Sequence, residues 1–371
     1  MKKGYKIIHS GMIAVMLLAF TSLPVLAQFG NAGEILRAGK ADANIIMKEY
    51  LKPIGEGFGT DLNSGWFSTA KTHATLGFDI TVNASLAIIP NSGQAFDITG
   101  LNLQEVELVS GGPKTPTVAG DDNTDVVLGS QTNNPVTGQR LFEFDMPEGS
   151  GFPYVPAPMI QASVGVIKKT DVTLRYLPKI NLPNDAEVNL FGLGVKHEIT
   201  QWLPGGNKLP IDLSVQAGFT NLSSSIDFEV LPEVDNDTKN EFSASTWEGQ
   251  KAKISSDAFT LNAIVGKTLP VISVFGGVGY QTSTVKISTP GSYPLVVPND
   301  DYNPAAGPSD PNSNTKKIAK VDEPLNLKYD ENGGMHVLAG FRLKLLFFNI
   351  SGSYTLSENP VAQVGVGIGI R

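Results

Sequence analysis

The sequence predicts an all-β protein, an antiparallel transmembrane β-barrel with a short N-terminal helix. Three observations predict this fold class. Apolar and polar residues alternate over many segments of strand length, no apolar run after residue 27 approaches the length of a membrane helix, and short connections alternate with long ones along the chain. The best strand count is ten, within a range of 10–14, because weaker strands lie inside the long connections.

The first 27 residues are predicted to be a cleaved secretory signal peptide. Lys2, Lys3 and Lys6 precede a short apolar run over 11–23, and Ala27 ends the segment with the small residue that signal peptidase prefers. The alternative, an anchoring helix, needs about 20 apolar residues, and this run is shorter. We therefore expect an exported chain.

Composition narrows the class of protein further. The chain has 28 Lys and Arg residues and 36 Asp and Glu residues. This excess of acidic residues argues against a nucleic-acid partner. The absence of Cys excludes a disulfide framework. With 39 Gly and 24 Pro, apolar alternation interrupted by turns is typical of an all-β chain.

Residues 28–70 differ from the rest and form a predicted N-terminal helix or plug segment. The spacing predicts a helix over about 41–52, with Asp42 as a possible N-cap, a stop at Lys52-Pro53 and a Gly-rich strip after it. The residues expected to plug the barrel are Ile45, Ile46, Tyr50 and Leu51. The alternative is a loosely ordered N-terminus.

The first strand shows the alternation most clearly. Within 71–90, every even position from Leu76 to Ile88 is apolar or small, while Asp79 and Asn83 lie among the odd positions. A period of two over this length predicts a strand with one apolar and one polar face. Nine further strands are predicted at 158–169, 171–180, 187–202, 210–230, 253–269, 271–289, 334–346, 348–357 and 361–371.

The connections support a barrel over 71–371. Tight turns alternate with long polar loops, notably 91–157, 231–252 and 290–333, which is the pattern of outer-membrane barrels with long outer loops. On this parity both termini of the chain lie on the periplasmic, turn side and the number of strands is even. Weaker strands at 94–109 and 140–146 are predicted to form an outer hairpin; the alternative is that they cross the membrane.

Apolar and polar residues also alternate along the strands of a soluble β-sandwich. The polar faces of the strands therefore have to distinguish a barrel from a sandwich. In a barrel they line a wet or salt-bridged lumen, while aromatic residues near strand ends suit the membrane interfaces. Because a sheet in hydrocarbon leaves no open edge, we expect closure and an outer-membrane location. The candidate lumen-lining residues are Asp79, Asn83, Arg175, Lys196, Glu198, Asp212, Arg342 and Lys344.

Two resemblances support this architecture. The segments 41–82 and 191–222 and the tail "VGVGIGIR" resemble an uncharacterised family of bacterial outer-membrane barrel proteins, which implies location and architecture but no activity. A looser similarity is to the outer-membrane long-chain fatty-acid transporters, which pair an N-terminal hatch with a 14-stranded barrel. This sequence lacks their Asn-Pro-Ala element, and it ends in Ile370-Arg371 rather than in the aromatic residue that guides barrel assembly.

Catalytic chemistry is not predicted. His73, His197 and His336 are far apart in sequence, no nucleophile–base motif is present, and no cofactor or metal site is expected. The acidic loops 120–125, 233–240 and 298–314 match no EF-hand, and solvated loops are the simpler interpretation. The cluster 196–200 is expected to line the lumen or the membrane interface.

The predicted function is an outer-membrane channel or transporter for a small solute, with a hydrophobic solute as one option, plugged by the N-terminal segment. The alternative is a structural or interaction barrel with no transport role. Expected partners are outer-membrane lipid, lipopolysaccharide and the barrel-assembly machinery.

Overall fold

Ten strands pair in chain order into a closed antiparallel barrel, in a computed structural model that describes residues 33–134, 138–181, 186–205, 209–227, 229–232, 234–307 and 310–370. The strands are β1 (Phe78–Ile88), β2 (Tyr154–Val166), β3 (Thr170–Asn181), β4 (Glu187–Glu198), β5 (Asp212–Asp227), β6 (Lys251–Thr268), β7 (Ile272–Ser288), β8 (Asn326–Leu345), β9 (Phe348–Leu356) and β10 (Val361–Ile370).

Each strand pairs with the next along the chain, and β1 closes the barrel by pairing with β10, from Phe78 opposite Ile370 to Ala87 opposite Val361. The predicted fold class and the count of ten strands are therefore confirmed. Closure leaves no unpaired sheet edge, as a bilayer requires.

The two faces of the strands differ as predicted. On β1, Thr81, Asn83 and Ser85 point inward and are almost fully buried, whereas Ile80 and Leu86, on either side of this run, are each 37% exposed. The outward face of β10 is more open still, with Val364 62% exposed. Since soluble proteins rarely expose a continuous apolar band, this outward belt is the surface expected of a barrel in lipid.

One end of the barrel carries tight connections, and we call it the turn end. Lys168 and Lys169 connect β2 to β3 with φ of 55° and 48°, as a two-residue hairpin turn of the I′ type requires. Two residues join β8 to β9, and three join β6 to β7. The 3₁₀ helix Ile199–Trp202 begins the longer connection from β4 to β5.

The opposite end, the loop end, carries the long connections. Short strands there form small sheets outside the barrel, at Ala95–Asp97, Val106–Ser110, Lys114–Pro116, Val127–Ser130, Glu143–Asp145, Thr238–Lys239, Ser292–Pro298 and Lys316–Asp322. Short 3₁₀ helices lie at Asn91–Gly93, Ile98–Gly100, Ala244–Trp247 and Pro311–Ser313. The weaker strands predicted at 94–109 and 140–146 do not cross the membrane, and they form these small sheets rather than one hairpin.

The N-terminal segment contains two helices rather than one. A 3₁₀ helix, Gly33–Ala38, leads into α1 (Gly39–Tyr50), and α2 (Lys52–Asn63) follows after a break at Leu51. The predicted helix is confirmed, but the expected stop at Lys52-Pro53 is wrong, because proline fits the first turn of a helix. None of the helices among the described residues is long and apolar enough to cross a bilayer.

The start of this segment lies at the loop end. Ile35, Leu36 and Ala38 are buried in an apolar cluster with loop residues such as Leu128 and Phe144. The sequence predicted both termini of the chain on the turn side. Strand β10 does end there and β1 begins there, but residues 33–38 lie at the loop end. The alternation of loops describes only the strands, so it cannot report a segment that runs through the lumen.

Candidate functional site

The barrel lumen is the candidate functional site, and the N-terminal segment runs through it. Helix α2 contacts six strands, β1, β2, β5, β6, β7 and β8. Residues 64–73 continue towards the turn end, where Lys196 Nζ donates to the carbonyl of Lys71 at 3.1 Å. We call residues 52–73 the interior segment.

Glycines let α2 lie directly against the wall. A Cβ added at Gly55 would collide with the ring of Tyr329, and one at Gly59 with Ser283. Only residues without a side chain allow this close approach. The strip at 55, 57 and 59, which the sequence analysis placed after the helix, is therefore the contact face of α2.

Arg175 anchors the end of α2. Its guanidinium donates to the carbonyls of Leu62 at 2.8 Å and Ser64 at 2.5 Å, and Nε donates to Gln161 Oε1 at 3.1 Å. The side chain is fully buried. A helix ends with carbonyls that lack partners inside the helix, and a cation there also interacts favourably with the helix dipole.

Trp66 completes this anchor. Its ring lies 3.7 Å from the guanidinium carbon of Arg175, a cation–π contact. Gly194 and Gly218 on neighbouring strands make room for the ring, since a Cβ at Gly194 would lie 2.7 Å from it. The interior segment and the wall therefore fit each other residue by residue.

A cluster of charged side chains holds the segment at the turn end. His73 Nε2 lies 2.9 Å from Asp79 Oδ2, and His73 Nδ1 lies 3.1 Å from Asp171 Oδ2. Lys196 Nζ lies 3.1 Å from Asp171, and Arg342 Nη1 lies 3.7 Å from Asp79. All five side chains are buried, so each carboxylate has a cationic or imidazole neighbour, as buried charges require.

Glu198 extends this network to the hairpin turn. It accepts from Lys169 Nζ at 2.6 Å and from Thr72 Oγ1 at 3.2 Å. Thr72 belongs to the interior segment, whereas Lys169 lies in the turn between β2 and β3. The turn-end cluster thus connects the segment with four strands, β1, β3, β4 and β8, and with one turn.

Six of the eight predicted lumen residues are buried inside the barrel: Asp79, Asn83, Arg175, Lys196, Glu198 and Arg342. Asp212 is half-buried at the first position of β5, and Lys344 is exposed near the end of β8. These two share the inward parity of their strands, but they lie beyond the packed interior. Arg175 bonds to backbone carbonyls and side-chain oxygens rather than to the carboxylates that the sequence suggested as its partners.

The four predicted plug residues lie at the mouth of the barrel. Ile46, Tyr50 and Leu51 are buried in the cluster that α1 forms with the loops, and Ile45 is half-buried. Tyr50 donates to the Glu148 carbonyl at 2.8 Å. Burial and the nearby Glu148 charge raise the pKa of Tyr50 above its usual range, so its hydroxyl stays neutral.

The Asp42 carboxylate fastens α1 to a loop. It accepts hydrogen bonds from the backbone N–H groups of Gln104, Glu105 and Val106 at 2.7–3.1 Å. The sequence analysis assigned Asp42 as an N-cap, but no side-chain capping bond is present at this helix start. Its partners lie more than 60 residues away, which local spacing cannot reveal.

Sequence reasoning missed His73, Asp171 and Trp66. Asp171 has the same inward parity as Arg175, so the alternation of β3 contained the signal. His73 and Trp66 lie before the first strand in irregular chain, where no periodicity indicates which way a side chain points. Their roles follow only from the path of the interior segment.

Small cavities lie beside the interior segment in the lumen. Two cavities of about 20 Å³ each flank residues 65–67, one lined by Asp79 and Gln216 and the other by His336 and Asn262. Each has room for about one water molecule.

The remaining sequence motifs have structural partners. His197 faces outward, where it accepts from Trp202 Nε1 at 2.8 Å, while Lys196 and Glu198 beside it point inward. In the acidic loops, Asp235 and Asp300 pair with Lys316 and Lys317 at 3.0 and 2.9 Å. Among the described residues no three acidic or His side chains are grouped to hold a metal ion.

Fold and site together define a ten-stranded barrel with an apolar outer belt and a lumen filled by its own N-terminal segment. The chain belongs to a family of unknown function, DUF6588, whose family model matches residues 1–370. None of the curated proteins compared with the chain matches it.

The chain is similar to several solved outer-membrane proteins at low identity. Ail, the attachment invasion locus protein of Yersinia pestis, is 8% identical, with a TM-score of 0.26 and coverage of 80% of this chain and 99% of that chain. The translocator domain of the autotransporter NalP from Neisseria meningitidis is 11% identical, with a TM-score of 0.28 and coverage of 85% and 92%. The outer membrane protease OmpT of Escherichia coli is 8% identical, with a TM-score of 0.25 and coverage of 81% and 100%.

Proposed function

We propose that this protein is an outer-membrane channel that its interior segment closes and that opens for a small solute when the segment moves. The observation that carries the proposal is the polar character of the wall behind the segment. Buried amide and hydroxyl side chains line it, among them Asn83, Gln161, Thr173, Gln216, Thr220, Asn262, Gln281, Ser351 and Gln363.

A wall that served only as a permanent core would be more stable if it were apolar, since each buried polar group needs a hydrogen-bond partner. A polar wall can exchange its contacts with the segment for contacts with water. This favours a lumen that is wet in one state, and a small polar solute over the apolar one that the sequence left open.

The alternative function is a structural barrel that never opens. The fit of Trp66 into the space at Gly194 and Gly218, beside the buried Arg175, favours this alternative. Breaking this anchor would leave a charge buried without partners, which costs several kcal/mol. Opening of the channel would therefore need hydration of the anchor.

A disulfide lock tests the proposal against this alternative. A Cβ built at Gly57 lies 3.3 Å from Val155 Cβ, close to the separation of about 3.5–4.5 Å found in disulfides. The chain has no Cys, so the double variant Gly57→Cys/Val155→Cys forms a single bridge between α2 and β2. Planar-bilayer conductance is recorded for the oxidised and the reduced protein.

Channel openings in the wild type and in the reduced variant, and their loss on oxidation, would support the proposal. Val155→Cys alone is the matched control and is expected to conduct in both redox states. A variant without residues 33–70 gives a second test and is expected to stay open. Silence of the wild type, the reduced variant and the deletion variant, each shown to be folded by heat-modifiable mobility, would contradict the channel and favour the structural barrel.

A further inference from the structure

Exposed lysines without ion-pair partners gather at the turn end of the barrel. Lys168 lies at the tip of the β2–β3 turn, Lys267 near the end of β6 and Lys344 near the end of β8. We call these three residues the lysine rim. Among the described residues, none of the three has a carboxylate within ion-pair distance.

The carboxylates of the turn end cannot neutralise this rim. Asp79, Asp171 and Glu198 are buried in the turn-end cluster, where they already have cationic or imidazole neighbours. Asp212 is half-buried at the start of β5. The exposed charge that the described residues present at this end is therefore positive.

The loop end shows the opposite pattern. Many of its lysines pair with carboxylates, for example Lys179 with Glu187 at 2.8 Å, Lys251 with Asp227 at 3.0 Å and Lys328 with Asp330 at 2.8 Å. The whole chain has a net charge of −8. The positive charge that the described residues expose at the turn end therefore has the opposite sign to the net charge of the chain.

The position of the rim points to a ligand at the membrane surface. Lys267 has the outward parity of β6, directly after the exposed Val265 of the apolar belt. Its neighbour Leu269 and the nearby residues Trp202 and Phe347 are also exposed, at 48%, 64% and 55%. Aromatic residues and snorkelling lysines at the edge of an apolar belt lie at the level of the lipid headgroups.

We propose that the lysine rim binds the phosphate groups of anionic phospholipids in the leaflet around the turn end. The apolar belt holds the acyl chains, and the Lys267 ammonium group on the lipid side meets the headgroup phosphates. Lys168 at the turn tip and Lys344 at the lumen-side edge of β8 add positive potential at the same membrane surface. The attraction is electrostatic and falls off within a Debye length, so it weakens with added salt. An acidic protein partner would meet the same charges, but Lys267 faces the lipid side of the barrel, where a protein bound across the lumen mouth would not reach it.

Trp202 is a natural reporter for this site. It is the exposed tryptophan at the turn end, whereas Trp66 and Trp247 are only 4% and 2% exposed. The full-length protein is reconstituted in vesicles of phosphatidylcholine with increasing fractions of brominated phosphatidylglycerol, or of brominated phosphatidylcholine as the neutral reference. Quenching of Trp202 fluorescence gives the relative affinity for the two lipids, and Trp202→Phe defines the background.

The wild type is expected to prefer the anionic lipid at low salt and to lose that preference at high salt. Since one lysine near an anionic surface is worth a factor of about five, the triple variant Lys168→Gln/Lys267→Gln/Lys344→Gln should lower the relative affinity at least tenfold. The matched control neutralises three exposed loop-end lysines, Lys114, Lys253 and Lys286, and should keep the preference. Equal quenching by both lipids in the wild type, or equal loss in both triple variants, would overturn the proposal; the former result would leave an acidic protein as the partner for these charges.

Discussion

At the residue scale, the lumen depends on a few buried charges whose partners lie on other elements. Arg175 is the clearest case, because its guanidinium donates to two carbonyls at the end of α2 and stacks on Trp66. Hydrogen bonds from a charged group are worth about 1.5–3 kcal/mol each. A single side chain of β3 therefore accounts for much of the attachment of the interior segment at mid-lumen.

Arg175→Met should weaken the attachment of the interior segment and leave the strand pairing of the barrel intact. The substitution keeps the length of the side chain but removes its donors, so the carbonyls of Leu62 and Ser64 lose their partners. We expect a loss of about 2–4 kcal/mol in the local opening free energy, measured by hydrogen exchange of the amides of residues 60–66. Lys179→Met, on the exposed end of the same strand, should change it by less than about 0.5 kcal/mol; similar effects of the two variants would contradict the anchoring role.

At the element scale, the strands could be predicted from the sequence and the interior segment could not. Apolar and polar residues alternate along each strand of the barrel, because one face contacts lipid and the other faces the lumen. Helix α2 shows no such alternation. From the sequence alone, Gly55 and Gly59 indicate a flexible segment, and only the structure shows that they lie against the wall residues Tyr329 and Ser283. The charged residues on strands were found by parity, whereas His73, on irregular chain, was not.

The two faces of β4 give a prediction for this scale. Leu193, which faces outward and is 49% exposed, should not tolerate Leu193→Arg, because an arginine near the middle of the bilayer costs about 2–4 kcal/mol. Lys196, on the other face, is buried and bonds to Asp171, Thr69 and Lys71. For Lys196→Ala we expect a clear loss of stability in a barrel that still inserts.

Heat-modifiable mobility and urea unfolding in vesicles separate the two outcomes. Leu193→Arg should abolish or slow insertion, and Lys196→Ala should insert but unfold at lower urea. Asn221→Arg is the matched control for position: Asn221 lies at the loop-end edge of the belt, bonded to Asp257, where an added arginine costs about 0–1 kcal/mol. A Leu193→Arg protein that inserts as readily as the Asn221→Arg protein would show that the outward face does not meet lipid.

At the scale of the whole molecule, the interior segment connects the two ends of the barrel. Residues 33–38 are buried among the loops, residues 52–63 lie in the lumen and His73 lies in the turn-end cluster. The chain therefore passes through the barrel once before the first strand begins. In a membrane this path places Gly33 on the same side as the long loops and Phe78 on the opposite side.

Epitope insertion tests this path in intact cells. A tag placed directly before Gly33 should be accessible to antibody from outside, as should a tag at Gly100, which has open space around it at the loop end. A tag between Lys168 and Lys169, at the turn end, should react only after the outer membrane is permeabilised. A tag before Gly33 that behaves like the 168–169 tag, while the Gly100 tag stays accessible, would mean that the segment enters the lumen from the turn side, and the arrangement of α1 among the loops would then be wrong.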